Sequence, residues 1–90
     1  MTAEKKCWLC GAENVPLERH HIFNGAYRSK SEKYGLVVYL CHSCHNEPPY
    51  GVHHNAANMR RLKKWGQIKC QTEQNWDILR FRQEFGKNYL

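Results

Sequence analysis

No segment of the 90-residue chain approaches the roughly 20 consecutive apolar residues that a membrane-spanning helix needs. Residues 1–6 are polar and lack the apolar stretch that follows the start of a secretory signal peptide. We therefore expect an intracellular, cytoplasmic protein with no membrane partner. Repeats, low-complexity tracts and linkers are also missing, so the sequence predicts a single domain over residues 1–90.

Acidic residues are scarce, because eight aspartates and glutamates stand against 14 lysines and arginines, which gives a net charge of +6. Such a balance suits a polyanionic partner, and nucleic acid is the usual one. The alternative is that the charge only keeps a small basic protein in solution.

The cysteines cannot all pair in disulfides, since there are five of them. Four form two C-x-x-C pairs, Cys7 with Cys10 and Cys41 with Cys44, whose thiolates suit one tetrahedral Zn²⁺. A four-thiolate site has no open position, so it predicts a structural zinc that stabilises a chain too short for a large core. Redox chemistry is the less favoured interpretation, because no thioredoxin-like βαβ pattern surrounds the pairs. The leftover Cys70 also favours a reducing compartment.

Two strands and two helices are expected around these cysteines. Extended segments are predicted at 17–23 and 36–40, with a polar loop over 24–35 between them. A helix is predicted from Ala56 to about Cys70 with Asn55 as its N-cap, and a last helix over about 73–85 with Gly86 at its C-terminal cap.

Apolar residues about three apart mark the expected core faces of both helices. The first face comprises Met59, Leu62, Trp65 and Ile68, and the second includes Trp76, Ile78, Leu79 and Phe81. The aromatic side chains of Trp8, Trp65, Trp76, Phe81 and Phe85 are predicted to lie in the core rather than to stack on nucleic-acid bases.

The adjacent histidines His20 and His21 lie between the two cysteine pairs. On an extended strand, neighbouring side chains point to opposite faces, so one of them can hold a metal while the other addresses a substrate. A structural zinc at the cysteines needs neither of them, although His42 could replace a thiolate. His45 and His53 are further histidines that the zinc site leaves unexplained.

His20-His21-Ile22, a following turn glycine and the run Leu40-Cys41-His42-Ser43-Cys44-His45 resemble the HNH endonucleases over about residues 7–65. Within that family the chain looks like small phage-associated proteins related to a recombination-enhancing nuclease. The resemblance implies a small zinc-stabilised α+β fold. It would be a ββα-metal (His-Me) finger with a four-cysteine zinc knuckle and a C-terminal helix.

The resemblance also implies roles for individual residues. His20 and His45 would hold a catalytic divalent ion such as Mg²⁺, Mn²⁺, Ni²⁺ or Zn²⁺, with His53 or Asn46 joining or supporting them. His21 would be the general base that activates water for hydrolysis of a DNA phosphodiester. The central asparagine of the family pattern is missing, because Leu36 stands near its place, and Asn24, Asn46 or Asn55 could substitute for it.

Basic residues supply candidate contacts to the DNA backbone. Arg28, Lys30 and Lys33 lie in the predicted loop, and a second set, Arg60, Arg61, Lys63 and Lys64, lies on the first helix. The alternative function is a zinc-stabilised nucleic-acid-binding module without catalysis, which would have no need of the His20-His21 pair.

Overall fold

Two antiparallel strands connect the two cysteine pairs in the computed structural model, which describes residues 6–90. Strand β1 spans Leu17–His21 and strand β2 spans Val37–Cys41. Their register pairs Leu17 with Cys41 and His21 with Val37. This register brings the second cysteine pair to the start of β1, close to the first cysteine pair.

Helices follow in the order α1 (Arg28–Lys33), α2 (His42–Asn46), α3 (Ala56–Gln74) and α4 (Ile78–Phe85). The architecture is therefore a small α+β fold with a two-stranded sheet, as the sequence predicts. Among the described residues, 6–90, none of the helices has both the length and the apolar character needed to cross a membrane.

The predicted helix caps are confirmed. The side chain of Asn55 accepts a hydrogen bond from the backbone N–H of Asn58, 2.9 Å away, at the start of α3. Gly86 has φ +81° at the end of α4, in the left-handed region where glycine costs least. Local chemistry therefore fixes these two helix ends.

The prediction of a polar loop over residues 24–35 is wrong, because a 3-10 turn at Gly25–Tyr27 and helix α1 form there. The reason lies in Ser31, which is fully buried. Its hydroxyl donates to the carbonyl of Phe23 at 2.6 Å and accepts from the N–H of Phe23 at 3.1 Å. This pair of bonds holds α1 against the chain that leaves β1.

The predicted start of the last helix near residue 73 is also wrong, because α3 continues to Gln74. Asn75 then takes a left-handed conformation with φ 57°, and Asp77 caps the new helix by accepting from the N–H of Arg80. The bend turns α4 so that Phe81 and Phe85 are buried. Leu79, predicted to point inward, is 64% exposed instead.

The buried face of α3 differs from the predicted one. Leu62, Gly66 and Cys70 recur every four residues and are buried, whereas Trp65 and Ile68 are exposed. Gly66 decides this orientation because it lets the helix backbone approach Ile22 and Phe23 at the end of β1. The other main members of the core are Phe23, Leu36, Val38, Leu40, Val52, Phe81 and Phe85.

Gly66→Ala should destabilise the fold, although alanine is the better helix former by about 1 kcal/mol. A Cβ at this position would lie 2.9 Å from Cγ2 of Ile22, a buried β-branched side chain with little freedom to move. We expect a net loss of roughly 1–2 kcal/mol in the free energy of unfolding, measured by urea titration. Thr72→Ala, at an exposed position of the same helix, should cause no loss. Equal stability of the two variants would contradict the close packing at Gly66.

Candidate metal centres

The four cysteines of the two C-x-x-C pairs lie together. Their Sγ atoms are all within 4.8 Å of one another in what we call the cysteine centre, Cys7, Cys10, Cys41 and Cys44. The Sγ atoms of Cys10 and Cys41 are 3.8 Å apart. Two thiolates at about 2.3 Å from one tetrahedral zinc ion are separated by about 3.8 Å. The cluster is therefore compatible with a structural zinc site.

Backbone hydrogen bonds favour a thiolate at Cys7, the first residue of the pair Cys7 and Cys10. Burial raises the pKa of the Cys7 thiol, but backbone hydrogen bonds at Cys10, Cys41 and Leu9 outweigh burial and lower it to about 6. Gly11 has φ +77°, and its N–H donates to the carbonyl of Cys7, which closes the turn. Deprotonated sulfur is thus favoured at Cys7, whereas burial raises the pKa of Cys44 in the same centre.

Three histidines form a second cluster, which we call the histidine centre. His20 of β1, His45 of α2 and His53 of the following turn place one ring nitrogen each within 4.8 Å of the others. His20 is buried, His45 is half-buried and His53 is exposed, so the centre opens to solvent on one side. Three imidazoles with one open side could hold a metal ion and leave a coordination position for a further ligand, which four thiolates do not.

A buried nitrogen without a partner lies at this centre. Nε2 of His20 is the one buried side-chain nitrogen or oxygen among residues 6–90 that has no hydrogen-bond partner. Burial, followed by the nearby charges of His45 and His53, lowers the pKa of His20 to about 4. The ring is therefore neutral at pH 7, and its buried lone pair or N–H requires an explanation. A metal ligand is such an explanation.

The spacing of the other two rings agrees with this interpretation. Nε2 of His45 and Nε2 of His53 are 3.1 Å apart. Two nitrogens bound at about 2.0–2.1 Å to one ion are separated by about 2.9–3.4 Å for octahedral or tetrahedral angles. The donor set of the histidine centre therefore fits a divalent ion that accepts imidazole.

Glu18 fixes the orientation of His45. Its Oε1 accepts a hydrogen bond from Nδ1 of His45 at 2.7 Å, and its Oε2 accepts from Nδ1 of His42 at 3.0 Å. These two bonds lower the pKa of Glu18, the one from His45 first. A proton on Nδ1 leaves the lone pair of His45 on Nε2, which faces the centre. His42 is thus engaged by Glu18 and does not join the cysteine cluster.

Sequence reasoning missed Glu18, although a signal for it exists. Glu18 lies two residues before His20 on β1, so the two side chains share one face of the strand. A carboxylate two positions from a metal-binding histidine candidate can reach the same site.

His21 lies away from the histidine centre, as the alternation along β1 predicts. Its Nε2 is 2.6 Å from Oε2 of Glu32 on α1, and Arg19 donates to the other carboxylate oxygen, also at 2.6 Å. Hydrogen bonds from Arg19 and then from His21 lower the pKa of Glu32, which keeps the carboxylate ionised. An ionised carboxylate only accepts, so Nε2 of His21 carries a proton and Nδ1 is left with a lone pair.

An open pocket surrounds this side chain. The residues that line the His21 pocket are Arg19, His21, Arg28, Ser29, Glu32 and Lys33. Arg28 and Lys33, two of the predicted DNA contacts, therefore lie beside His21. Lys30, the third, donates instead to the backbone carbonyl of Glu84 at 2.7 Å and pairs with its carboxylate at 3.4 Å. Its cation is thus directed toward α4.

The three candidate substitutes for the missing asparagine lie in different places. Asn46 lies against the histidine centre, and its Nδ2 donates to Oε1 of Glu18 at 3.5 Å. Asn55 caps α3 and donates to the carbonyl of Pro49. Asn24 precedes the 3-10 turn, and its side chain makes no cap hydrogen bond there. Asn46 alone has contacts suited to a supporting role.

A scan against protein-family models and searches of curated proteins and of solved structures found no significant match to this chain.

Proposed function

We propose that this chain is a metal-dependent endonuclease of the HNH type that hydrolyses DNA phosphodiester bonds. The observation that carries the proposal is that His20 and His21 lie on opposite faces of β1, in different surroundings. His20 contributes to a three-histidine centre on one face, and His21 is held by a carboxylate beside basic residues on the other. A zinc-stabilised binding module without catalysis needs neither arrangement.

In the same proposal, β1, β2 and the helical segment that carries His45 are the ββα-metal finger. The cysteine centre binds zinc and ties the start of β1 to the end of β2. It takes no part in the chemistry, because four thiolates leave no open position. The reactive residues then lie on a hairpin whose register the zinc stabilises.

The histidine centre would hold a divalent ion through His20, His45 and His53. When bound, the ion supplies Lewis-acid stabilisation to the phosphate and to the leaving 3′ oxygen. Glu18 accepts from Nδ1 of His45 and so orients its ring, while Asn46 lies beside both.

His21 is the proposed general base. Its Nδ1 has no hydrogen-bond partner among the described residues, so the lone pair there can accept a proton from water. Glu32 keeps the proton of Nε2 in place and stabilises the imidazolium that forms. Arg19 in turn keeps Glu32 ionised. Arg19, Glu32 and His21 therefore form a series of hydrogen bonds that leaves Nδ1 of His21 as the proton acceptor.

Arg28 and Lys33 are the proposed contacts to the DNA backbone, since they line the His21 pocket. Contacts with phosphates give affinity without reading sequence. We therefore propose a nuclease with weak sequence preference.

Plasmid nicking tests the proposal. Protein loaded with one equivalent of Zn²⁺, which we call zinc-loaded protein, is incubated with supercoiled DNA and added Mg²⁺, Mn²⁺ or Ni²⁺. Wild type is compared with His45→Ala and with His54→Ala. His54 is an exposed histidine outside the centre. Wild type and His54→Ala should cut, while His45→Ala should not. DNA binding without cutting in all three metals would instead support the binding module.

Glu18→Gln should weaken the binding of a divalent ion to the histidine centre by about 10- to 100-fold. The amide keeps the shape of the carboxylate but loses the charge that accepts the Nδ1–H of His45 and so orients its ring. Calorimetric titration of Mn²⁺ or Ni²⁺ into zinc-loaded protein measures this affinity. Glu73→Gln, which alters an exposed carboxylate on α3, is the matched control. Unchanged affinity in Glu18→Gln would remove Glu18 from the site.

A further inference from the structure

An aromatic surface on α3 is left exposed by the fold. Trp65 is 38% exposed and Ile68 is 49% exposed, although both fall in a spacing that predicts core residues. Trp8 of the first knuckle packs edge-on against Trp65, with ring centroids 5.5 Å apart. With Arg61 and Lys64 they line a shallow depression, which we call the tryptophan groove: Trp8, Arg61, Lys64, Trp65 and Ile68.

The groove lies on a separate face of α3 from the core. Arg61, Trp65 and Ile68 follow one another at spacings of four and three, so they share one side of the helix. Leu62, Gly66 and Cys70 take the neighbouring side against the core. The tryptophan is thus held at the surface by the orientation that Gly66 imposes. Contiguous exposed apolar side chains of this kind mark an interaction surface.

The charge around the groove indicates the kind of partner. Among the residues that the structure describes, 6–90, its lining contains two exposed cations, Arg61 and Lys64, and no carboxylate. Lysine is depleted in protein–protein interfaces, whereas aromatic rings combined with cations are typical of surfaces that bind single-stranded nucleic acid. A base can stack on the indole while the flanking phosphates contact the cations.

The groove is also rigid at one end. Trp8 lies between two ligand candidates of the cysteine centre, and its backbone N–H donates to the carbonyl of Tyr39 on β2 at 2.9 Å. Trp65 packs against this held ring, so it loses less freedom when a base stacks on it. The groove shares no residue with the His21 pocket.

We infer that the tryptophan groove binds single-stranded nucleic acid, with a base stacked on Trp65 and adjacent phosphates held by Arg61 and Lys64. Duplex DNA keeps its bases stacked inside, so it can offer the groove only phosphates. The inference goes beyond the proposed function, because this binding requires neither the histidine centre nor cleavage. It would give the chain a preference for DNA with an unpaired segment.

Fluorescence anisotropy of a labelled oligothymidylate and of a labelled hairpin duplex tests the inference, with zinc-loaded protein and no second metal added. Trp65→Ala should weaken oligothymidylate binding by about 5- to 100-fold and duplex binding by less than about twofold. Trp65→Phe should restore most of the affinity, since it keeps a stacking ring and guards against a folding defect in the alanine variant. Leu79→Ala, which removes an exposed apolar side chain from α4, should change neither affinity.

The cations give an independent measurement. Arg61→Ala and Lys64→Ala should each reduce the slope of log affinity against log salt by about 0.7 for the single strand. Arg82→Ala, an exposed cation on α4, should leave that slope unchanged.

Three outcomes would overturn the inference. The first is oligothymidylate binding by Trp65→Ala that equals wild type, and the second is equal affinity of wild type for single strand and duplex. The third is a concentration-dependent dimer that Trp65→Ala abolishes without a change in oligonucleotide binding, since a second copy would then cover the groove. Failure here is distinguishable from failure of the nuclease, because His21→Ala should keep full oligothymidylate affinity.

Discussion

His21→Ala should lower the rate of plasmid nicking by about 10²- to 10⁴-fold, because a positioned general base typically contributes that much. The side chain has its Nε2 held by Glu32 and its Nδ1 left free of partners among residues 6–90, which is the state that a proton acceptor needs. Binding of a divalent ion to the histidine centre should remain within a few-fold of wild type. That separation of cutting from metal binding distinguishes a base from a ligand.

Two further variants sharpen this expectation. The nicking rate of Glu32→Gln should lie between those of wild type and His21→Ala. The amide keeps an acceptor for His21 but loses the charge that stabilises the imidazolium. His54→Ala should cut like wild type, since its side chain lies outside the centre. Wild-type nicking by His21→Ala would remove the general-base assignment.

Loss of the cysteine centre should abolish cooperative folding. Structural zinc contributes about 10–16 kcal/mol of apparent binding free energy in small zinc-dependent domains, as much as or more than the total stability of about 5–15 kcal/mol of an ordinary domain. Cys44 is the buried residue of α2, and Val52 donates its N–H to the carbonyl of Cys44. We expect Cys44→Ser to lose its zinc and its thermal unfolding transition, followed by circular dichroism and elemental analysis.

Cys70→Ala is the matched control, because Cys70 is buried but lies outside the cysteine centre. Burial raises the pKa of its thiol to about 11, so it behaves as a small neutral side chain. Its replacement should cost only about 1–2 kcal/mol and leave the zinc content unchanged. A Cys44→Ser chain that melts like wild type with its zinc retained would contradict a structural role for the centre.

Much of the site is readable from the sequence because it depends on local geometry. The spacing of each C-x-x-C pair and the alternation of His20 and His21 follow from the turn and the strand alone. The convergence of His20 and His45 needs the register of β1 with β2 as well. The same alternation along β1 places Glu18 on the face of His20. Its role follows only from the structure, in which both His42 and His45 contact it.

Other features depend on packing that the sequence pattern does not encode. The apolar periodicity predicts Trp65 in the core. In the structure, Gly66 lets the backbone of α3 approach Ile22, and Trp65 therefore points outward. Helix α1 forms in a segment with little apolar periodicity because one buried hydroxyl, that of Ser31, bonds both backbone groups of Phe23. The contact of Lys30 with Glu84 depends on the position of α4, which no local rule predicts.

A Co²⁺ titration of zinc-loaded protein, followed by absorption and by plasmid nicking in the same samples, tests the account most directly. The account predicts that one added equivalent binds through imidazole. It should give ligand-field absorption without a thiolate charge-transfer band, and nicking should rise in proportion to that absorption. His45→Ala should show neither change. Nicking that is complete before any Co²⁺ binds, or absent when the site is saturated, would contradict the proposed separation of a structural cysteine centre from a reactive histidine centre.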